Sequence, residues 1–164
     1  PRADNQLIRR FQSGVIQYDE LEAFVDSMKN IDIFNGVAFA FLNFPCADAF
    51  VATVSDFILN LDVVTFAVVY SRKEKGFKFS VRSELDELNA GIIAEEALKT
   101  VGSGGGHRSM AGGFAEENKV LDISIDFNRV IQNLFLDVID KLRPQAEEPK
   151  EVPVEESTET MDLE

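Results

Sequence analysis

The chain has 164 residues with 45% hydrophobic positions, 14 phenylalanines, one histidine and one cysteine, which is ample material for one domain with its own core. A lone Cys46 excludes a disulfide framework within the chain and favours a reducing compartment. The net charge of -13 is uneven: from Gln145 onward eight acids face Lys150 alone, so -7 sits in the tail and -6 in residues 1–144. That balance argues against a broad basic surface for long duplex DNA. A small, focused anion site stays open, because local geometry decides it.

Residues 1–17 are polar and mixed and read as a linker. No apolar segment near Pro1 resembles a secretion signal, and no apolar run approaches membrane-spanning length. Asp19 with Glu22 fits a helix-start capping pattern, and Leu21, Phe24, Val25 and Met28 follow at helical spacing. Asn35-Gly36 signals a turn. Val37 to Leu42 reads as a buried strand, ended by Asn43-Phe44-Pro45. From Ala47, the positions Phe50, Val51, Val54, Phe57, Ile58 and Leu61 predict an amphipathic helix.

Val63 to Tyr70 is β-branched and aromatic, as a central strand would be. Arg72 to Gly76 suits a hairpin loop. Phe77 to Ser83 then alternates, with Phe77, Phe79 and Val81 on one face and Lys78, Ser80 and Arg82 on the other. Asn89 to Thr100 predicts a helix, with Gly102 as its C-terminal glycine. The stretch GSGGGHRSMAGG, Gly102 to Gly113, reads as a loop. A short strand near Gly113 to Ala115, a turn at Glu117-Asn118 and a long helix from Phe127 to Leu142 complete the folded part, 18–144. Pro144 ends the last helix, and the acidic tail, 145–164, has the composition of a disordered segment. The fold class is α/β: a single mixed sheet of four to five strands flanked by helices.

Gly104, Gly105 and Gly106 run straight into His107 and Arg108. Consecutive glycines can bring several backbone N–H groups around one point, and a cationic side chain follows at once, which suits a phosphate. A glycine run is more often a plain flexible loop, and a lone histidine is more often a surface residue. Cys46 precedes an apolar helix and reads as a small buried hydrophobe. No motif supports pairing it with His107 as a nucleophile and base.

The segment from Gly104 to Gly112, GGGHRSMAG, resembles the GGGHxxAAG hallmark of the DHH-associated domain, the C-terminal half of DHH-family phosphoesterases. Met110 stands where an alanine is usual. The strand ending Ser80-Val81-Arg82-Ser83 is a second resemblance, placed in the family about 20 residues before the glycines. The similarity runs from Val37 to the last helix. The family includes RecJ-type exonucleases, nano-RNases and cyclic-dinucleotide phosphodiesterases, and some relatives carry an exopolyphosphatase label.

The resemblance implies a substrate-binding half whose Gly104, Gly105 and Gly106 cradle a phosphate. His107 would donate to a phosphate oxygen and assist at the scissile one. Arg82 would pair with a phosphate or carboxylate-like oxygen in a charge-assisted bond, with Ser83 and Arg108 beside the site and Lys78 and Ser80 as weaker candidates. For Lys78 a solubilising charge is the commoner role.

The family's catalytic half carries an Asp-His-His signature and binds two Mn²⁺ ions. No spacing of His, Cys and Asp in this chain resembles such a site. The expectation is therefore a piece of a longer cytoplasmic hydrolase, inactive alone. Its substrates would be short oligonucleotides, nucleotide bisphosphates or cyclic dinucleotides, and its partner the enzyme's own catalytic domain. An alternative is a non-enzymatic RNA- or nucleotide-binding module, such as the C-terminal domain of alanyl-tRNA synthetases, which predicts a basic face. A third is a free-standing domain that senses a nucleotide. Phe114 and Phe79 are the aromatic candidates for stacking on a base.

Overall fold

The structure, a computed structural model, describes residues 28–44 and 46–143 together with Leu21, Phe24 and Val25. The expected linker, the Asp19–Glu22 capping pattern and the acidic tail lie outside the described residues. Leu21, Phe24, Val25 and Met28 are helical, as their spacing predicts.

The elements are β1 (Asp32–Phe34), β2 (Val37–Leu42), α1 (Asp48–Leu59), β3 (Phe66–Lys73), β4 (Gly76–Ser83), α2 (Ala90–Leu98), β5 (Gly102–Gly106), β6 (Met110–Glu116), α3 (Glu117–Ile123) and α4 (Phe127–Leu142). They form one mixed α/β layer structure. The sheet has six strands in the order β1-β2-β3-β4-β6-β5, more than the four to five expected. β2 and β3 run parallel, joined across the sheet by α1; every other neighbouring pair is antiparallel.

The two additional strands are the ones with the poorest signals. β1 is three exposed residues paired onto β2 through the Asn35-Gly36 turn. Asn35 and Gly36 both take positive φ, 48° and 82°, as such a turn requires. β5 is built almost wholly of glycine and is a strand only because β6 pairs with it.

Three local readings are corrected by the tertiary structure. The hairpin between β3 and β4 is tighter than expected, with Lys73 paired to Gly76. Glu117-Asn118 opens α3 instead of making a turn. Gly102 does not cap α2; it begins β5, where a Cβ would stand 1.9 Å from the Phe114 carbonyl oxygen.

Alternation sends two apolar sets to opposite faces of the sheet. The first face carries Phe39, Phe66, Val68, Tyr70, Phe77, Phe79 and Val81 and is covered by α2 and α4. α4 presents Val130, Ile131, Phe135 and Ile139, one stripe at helical spacing. The second face carries Ala38, Ala40, Leu42, Ala67 and Val69 and is covered by α1 through Phe50, Val51, Val54 and Ile58. Small residues on the second face let α1 lie close to the strands.

Tyr70 belongs to the first face. Its hydroxyl donates to Asn128 Oδ1 at 2.7 Å. Burial, reinforced by Asp32 and Asp126, pushes its ionisation above the ordinary tyrosine range. A cavity of about 610 Å³ opens beside it, lined among others by Asp32, Asn43, Asn128 and Gln132. No helix among the described residues is long and apolar enough to cross a membrane.

Candidate functional site

The glycines divide by strand parity. Gly104 pairs with Gly113 and Gly106 with Ala111, on the face that α2 covers. A Cβ on Gly104 would stand 2.3 Å from the Ala94 carbonyl oxygen, and one on Gly113 would stand 2.3 Å from Leu98 Cδ1. Gly91, in the first turn of α2, is equally tight against the Gly106 carbonyl oxygen at 2.5 Å. These glycines let a helix lie directly on strand backbone.

Gly105 and Gly112 pair with each other on the opposite face. A Cβ on Gly105 would meet nothing within 4 Å, and one on Gly112 only the Phe79 carbonyl oxygen at 3.4 Å. α1 packs on β3 and β4. Among the described residues, the second face therefore continues beyond α1 as a shelf that is bare backbone at Gly105 and Gly112, with Met110, Phe114 and Ser103 around it. Gly105 and Gly106 have φ of +155° and +154°, values that side-chain-bearing residues rarely adopt.

The turn from β5 to β6 is pinned by its carbonyl groups. His107 N–H donates to the Met110 oxygen at 2.7 Å, closing the turn. The oxygens of His107, Arg108 and Ser109 accept from Gly91, Ala90 and Ser83 at 3.0, 2.8 and 3.0 Å. Asn89 caps α2, its side chain accepting from Gly91 and Ile92. The first N–H groups of α2 are thus satisfied within the protein. The spare donors are those of the turn itself: among the described residues the N–H groups of Arg108 and Ser109 meet no acceptor. The exposed His107 imidazole makes no hydrogen bond among these residues either.

Arg82 projects from β4 on the shelf side, opposite Met110 in register. Its Nε donates to Asp56 Oδ1 on α1, and its Nη1 donates to Ser80 Oγ at 3.0 Å and to the Val81 oxygen at 3.1 Å. Ser55 Oγ lies 2.8 Å from Ser80 Oγ and donates to the Ala52 oxygen at 2.7 Å. The direction of this chain is set by elimination. Arginine only donates, Ser55 has given its proton to a carbonyl, so Ser80 donates to Ser55. Ser55 and Ser80 are buried, which stiffens the arrangement. The Arg82 side chain is 13% exposed; its guanidinium is held at two of its nitrogens and keeps Nη2 with no acceptor among the described residues.

The remaining sequence candidates are placed differently. Ser83 is buried and its hydroxyl closes a turn, donating to the Leu85 oxygen and accepting from Leu85 N–H. Arg108 is exposed and reaches Asp86, at 3.3 Å from its carbonyl oxygen and 3.4 Å from its carboxylate. Phe79 is 2% exposed and stacks on Tyr70 in the core, so it is not available to a base. Phe114 is half-buried on the shelf face, opposite Lys78 and Ser103. Cys46 and His107 lie at opposite ends of β4: Lys73, beside the first residue of β4, holds the Cys46 carbonyl, whereas Ser83, its last, holds the turn.

Asp56 and Ser55 are site residues that sequence reasoning missed. The available signal was the row Asp48, Ala52, Asp56 at intervals of four, which puts two carboxylates along one edge of α1. No group of three or more potential metal-ligating side chains occurs among the described residues. The acids of this site are committed to Lys73, Lys78 and Arg82, a donor set that does not fit a two-metal centre.

Comparison with known proteins gives a consistent result. The DHHA1 domain family matches residues 34–133. No curated protein matches. An exopolyphosphatase-related protein from Bacteroides fragilis is similar in structure, with TM-score 0.58 and 18% identity over 85% of this chain and 41% of that one. RecJ from Thermus thermophilus, solved with Mn²⁺, gives TM-score 0.53 and 17% identity over 81% of this chain and 18% of that one. The C-Ala domain of alanyl-tRNA synthetase from Aquifex aeolicus reaches 0.49 with 15% identity, over 69% of this chain and 96% of that one, too slight a likeness to weigh. The chain thus spans less than half the length of the first two. With the family matched over most of its folded part, the chain is a member of the DHHA1 domain family.

Proposed function

We propose that this chain is the substrate-binding half of a DHH-family phosphoesterase and that it grips a phosphate of a short oligonucleotide, nucleotide bisphosphate or cyclic dinucleotide. The observation that carries the reading is that spare donors stand on neighbouring segments at one end of the glycine shelf, Arg82 being opposite Met110 in register and Ser83 N–H bonding the Ser109 oxygen of the turn. Arg82 offers Nη2, the turn offers the Arg108 and Ser109 N–H groups, and His107 offers its imidazole. A phosphate placed there receives charge-assisted and backbone hydrogen bonds together. Gly105 supports the approach by carrying no side chain, whereas Gly104 and Gly106 serve by packing against α2 and β6.

Hydrolysis belongs to a separate catalytic domain in this reading. There, Mn²⁺ ions would activate water, and the DHHA1 domain would orient the ester and supply His107 near the scissile phosphate. A cytoplasmic location and inactivity of the isolated domain follow from the same proposal.

Calorimetric titration tests it, using 3′-phosphoadenosine-5′-phosphate and a short oligoribonucleotide on the native chain, Arg82→Ala and His107→Ala. Binding that both substitutions weaken supports the reading. Binding that neither substitution changes overturns it.

A further inference from the structure

We propose a second anion subsite at Lys78, so that the shelf takes two linked phosphates rather than one; this rests on the phosphate reading for Arg82. Lys78 and Arg82 are four residues apart on one face of β4, about 13 Å along an extended strand. Both stand at the line where α1 stops and the open shelf begins. Between them in register lies Ser80, whose partner across the sheet is Gly112, followed by Gly105. Ser80 itself carries a buried hydroxyl bonded to Ser55 of α1, and the floor beside the two cations, toward the sheet edge, is the side-chain-free backbone of Gly112 and Gly105. Met110 and Phe114 flank it, opposite Arg82 and Lys78 respectively.

Lys78 is also free to serve. Its ammonium lies 3.9 Å from Asp48 Oδ2, at the limit of an ion pair. The other oxygen of that carboxylate is held more closely by Lys73, at 2.9 Å. Lys73 is further tied to the Cys46 carbonyl at 2.6 Å, so it is anchored where Lys78 is not. The side chain of Lys78 is 39% exposed, against 13% for Arg82. The pair thus combines a rigid cation with an adjustable one. A rigid guanidinium fixes register on the first phosphate, and a flexible ammonium follows the second.

The chemistry this fits is two phosphates joined by a spacer that lies on bare backbone. A 5′-phosphorylated dinucleotide has it, with a flat ring for the floor and Phe114 at its far end. A polyphosphate shares the two anions without the ring.

The test titrates the 164-residue chain with inorganic phosphate, tripolyphosphate and 5′-phosphorylated diadenylate, at several salt concentrations. The variants are Lys78→Ala, Lys78→Arg, Arg82→Ala and, as a charge control on another face, Lys99→Ala. Arg82→Ala is expected to weaken all three ligands. Lys78→Ala is expected to weaken the dinucleotide about fivefold and to leave inorganic phosphate unchanged. It should also lower the salt slope for the dinucleotide by about 0.7, the contribution of one phosphate contact. Lys78→Arg restores binding, and Lys99→Ala changes nothing. An equal loss for tripolyphosphate supports the two-anion site and assigns the spacer to the phosphate chain. Unchanged dinucleotide affinity and salt slope in Lys78→Ala, with Arg82→Ala impaired, overturns the second subsite and spares the first. If neither variant changes any ligand, both readings fall.

Discussion

Arg82 and Asp56 form an ion pair across the junction of β4 and α1, and that pair decides which part of the guanidinium can meet a ligand. Nε is taken by the carboxylate and Nη1 by Ser80 and the Val81 oxygen, which leaves Nη2. Fixing an arginine before the ligand arrives reduces the side-chain ordering that binding must otherwise supply.

The same carboxylate opposes an incoming anion. Asp56→Asn keeps an acceptor for Nε and removes the negative charge. Phosphate affinity is expected to rise about threefold, with stability lower by at most about 1 kcal/mol. Titration and chemical denaturation of the variant check both numbers. A fall in affinity would show that the charge of Asp56 is needed to hold Arg82 in place.

The glycines of β5 should separate stability from binding. Gly104→Ala forces a methyl group against the Ala94 carbonyl oxygen and should cost at least about 2 kcal/mol, read by denaturation. Gly105→Ala meets no atom but must hold φ near +155°, a strain of about 1–3 kcal/mol. Gly105→Val adds bulk on the shelf and should abolish nucleotide binding. Retained affinity in that variant would show that the ligand does not cross the shelf.

His107→Ala removes an exposed side chain with no hydrogen bond among the described residues. Stability should stay within about 0.5 kcal/mol of the native chain. Nucleotide affinity should fall roughly tenfold, the worth of a hydrogen bond to a charged group. In a complete enzyme, turnover should drop strongly.

Tyr70 predicts an alkaline limit to stability. Its ionisation is raised by burial in the fold, while in the unfolded chain it ionises near the ordinary value of about 10. The unfolded state therefore loses the proton first, so stability is fully present below about pH 10 and is lost as pH rises beyond it. Denaturation midpoints from pH 8 upward check the direction. Tyr70→Phe should flatten the alkaline fall and cost about 1 kcal/mol at neutral pH, through the lost bond to Asn128.

The sequence by itself determined the α/β class, the helices α1, α2 and α4 and the strands β2 and β4. The helices and β4 carry apolar patterns whose period, 3.6 or 2, is a property of the residues alone, and β2 is a continuous apolar run of strand length. It also carried the family resemblance, through the glycines, His107 and the strand ending at Arg82. Only the tertiary structure decided the rest. A run of glycines has no side chains to show a period, so β5 became a strand solely through hydrogen bonds to β6. Gly104 and Gly105, identical in sequence, took different duties because the pleat turns one toward α2 and the other toward open space. Asp56 met Arg82 across 26 residues because the parallel β2–α1–β3 crossover lays α1 on that face. Such contacts depend on chain path, which local preferences do not encode.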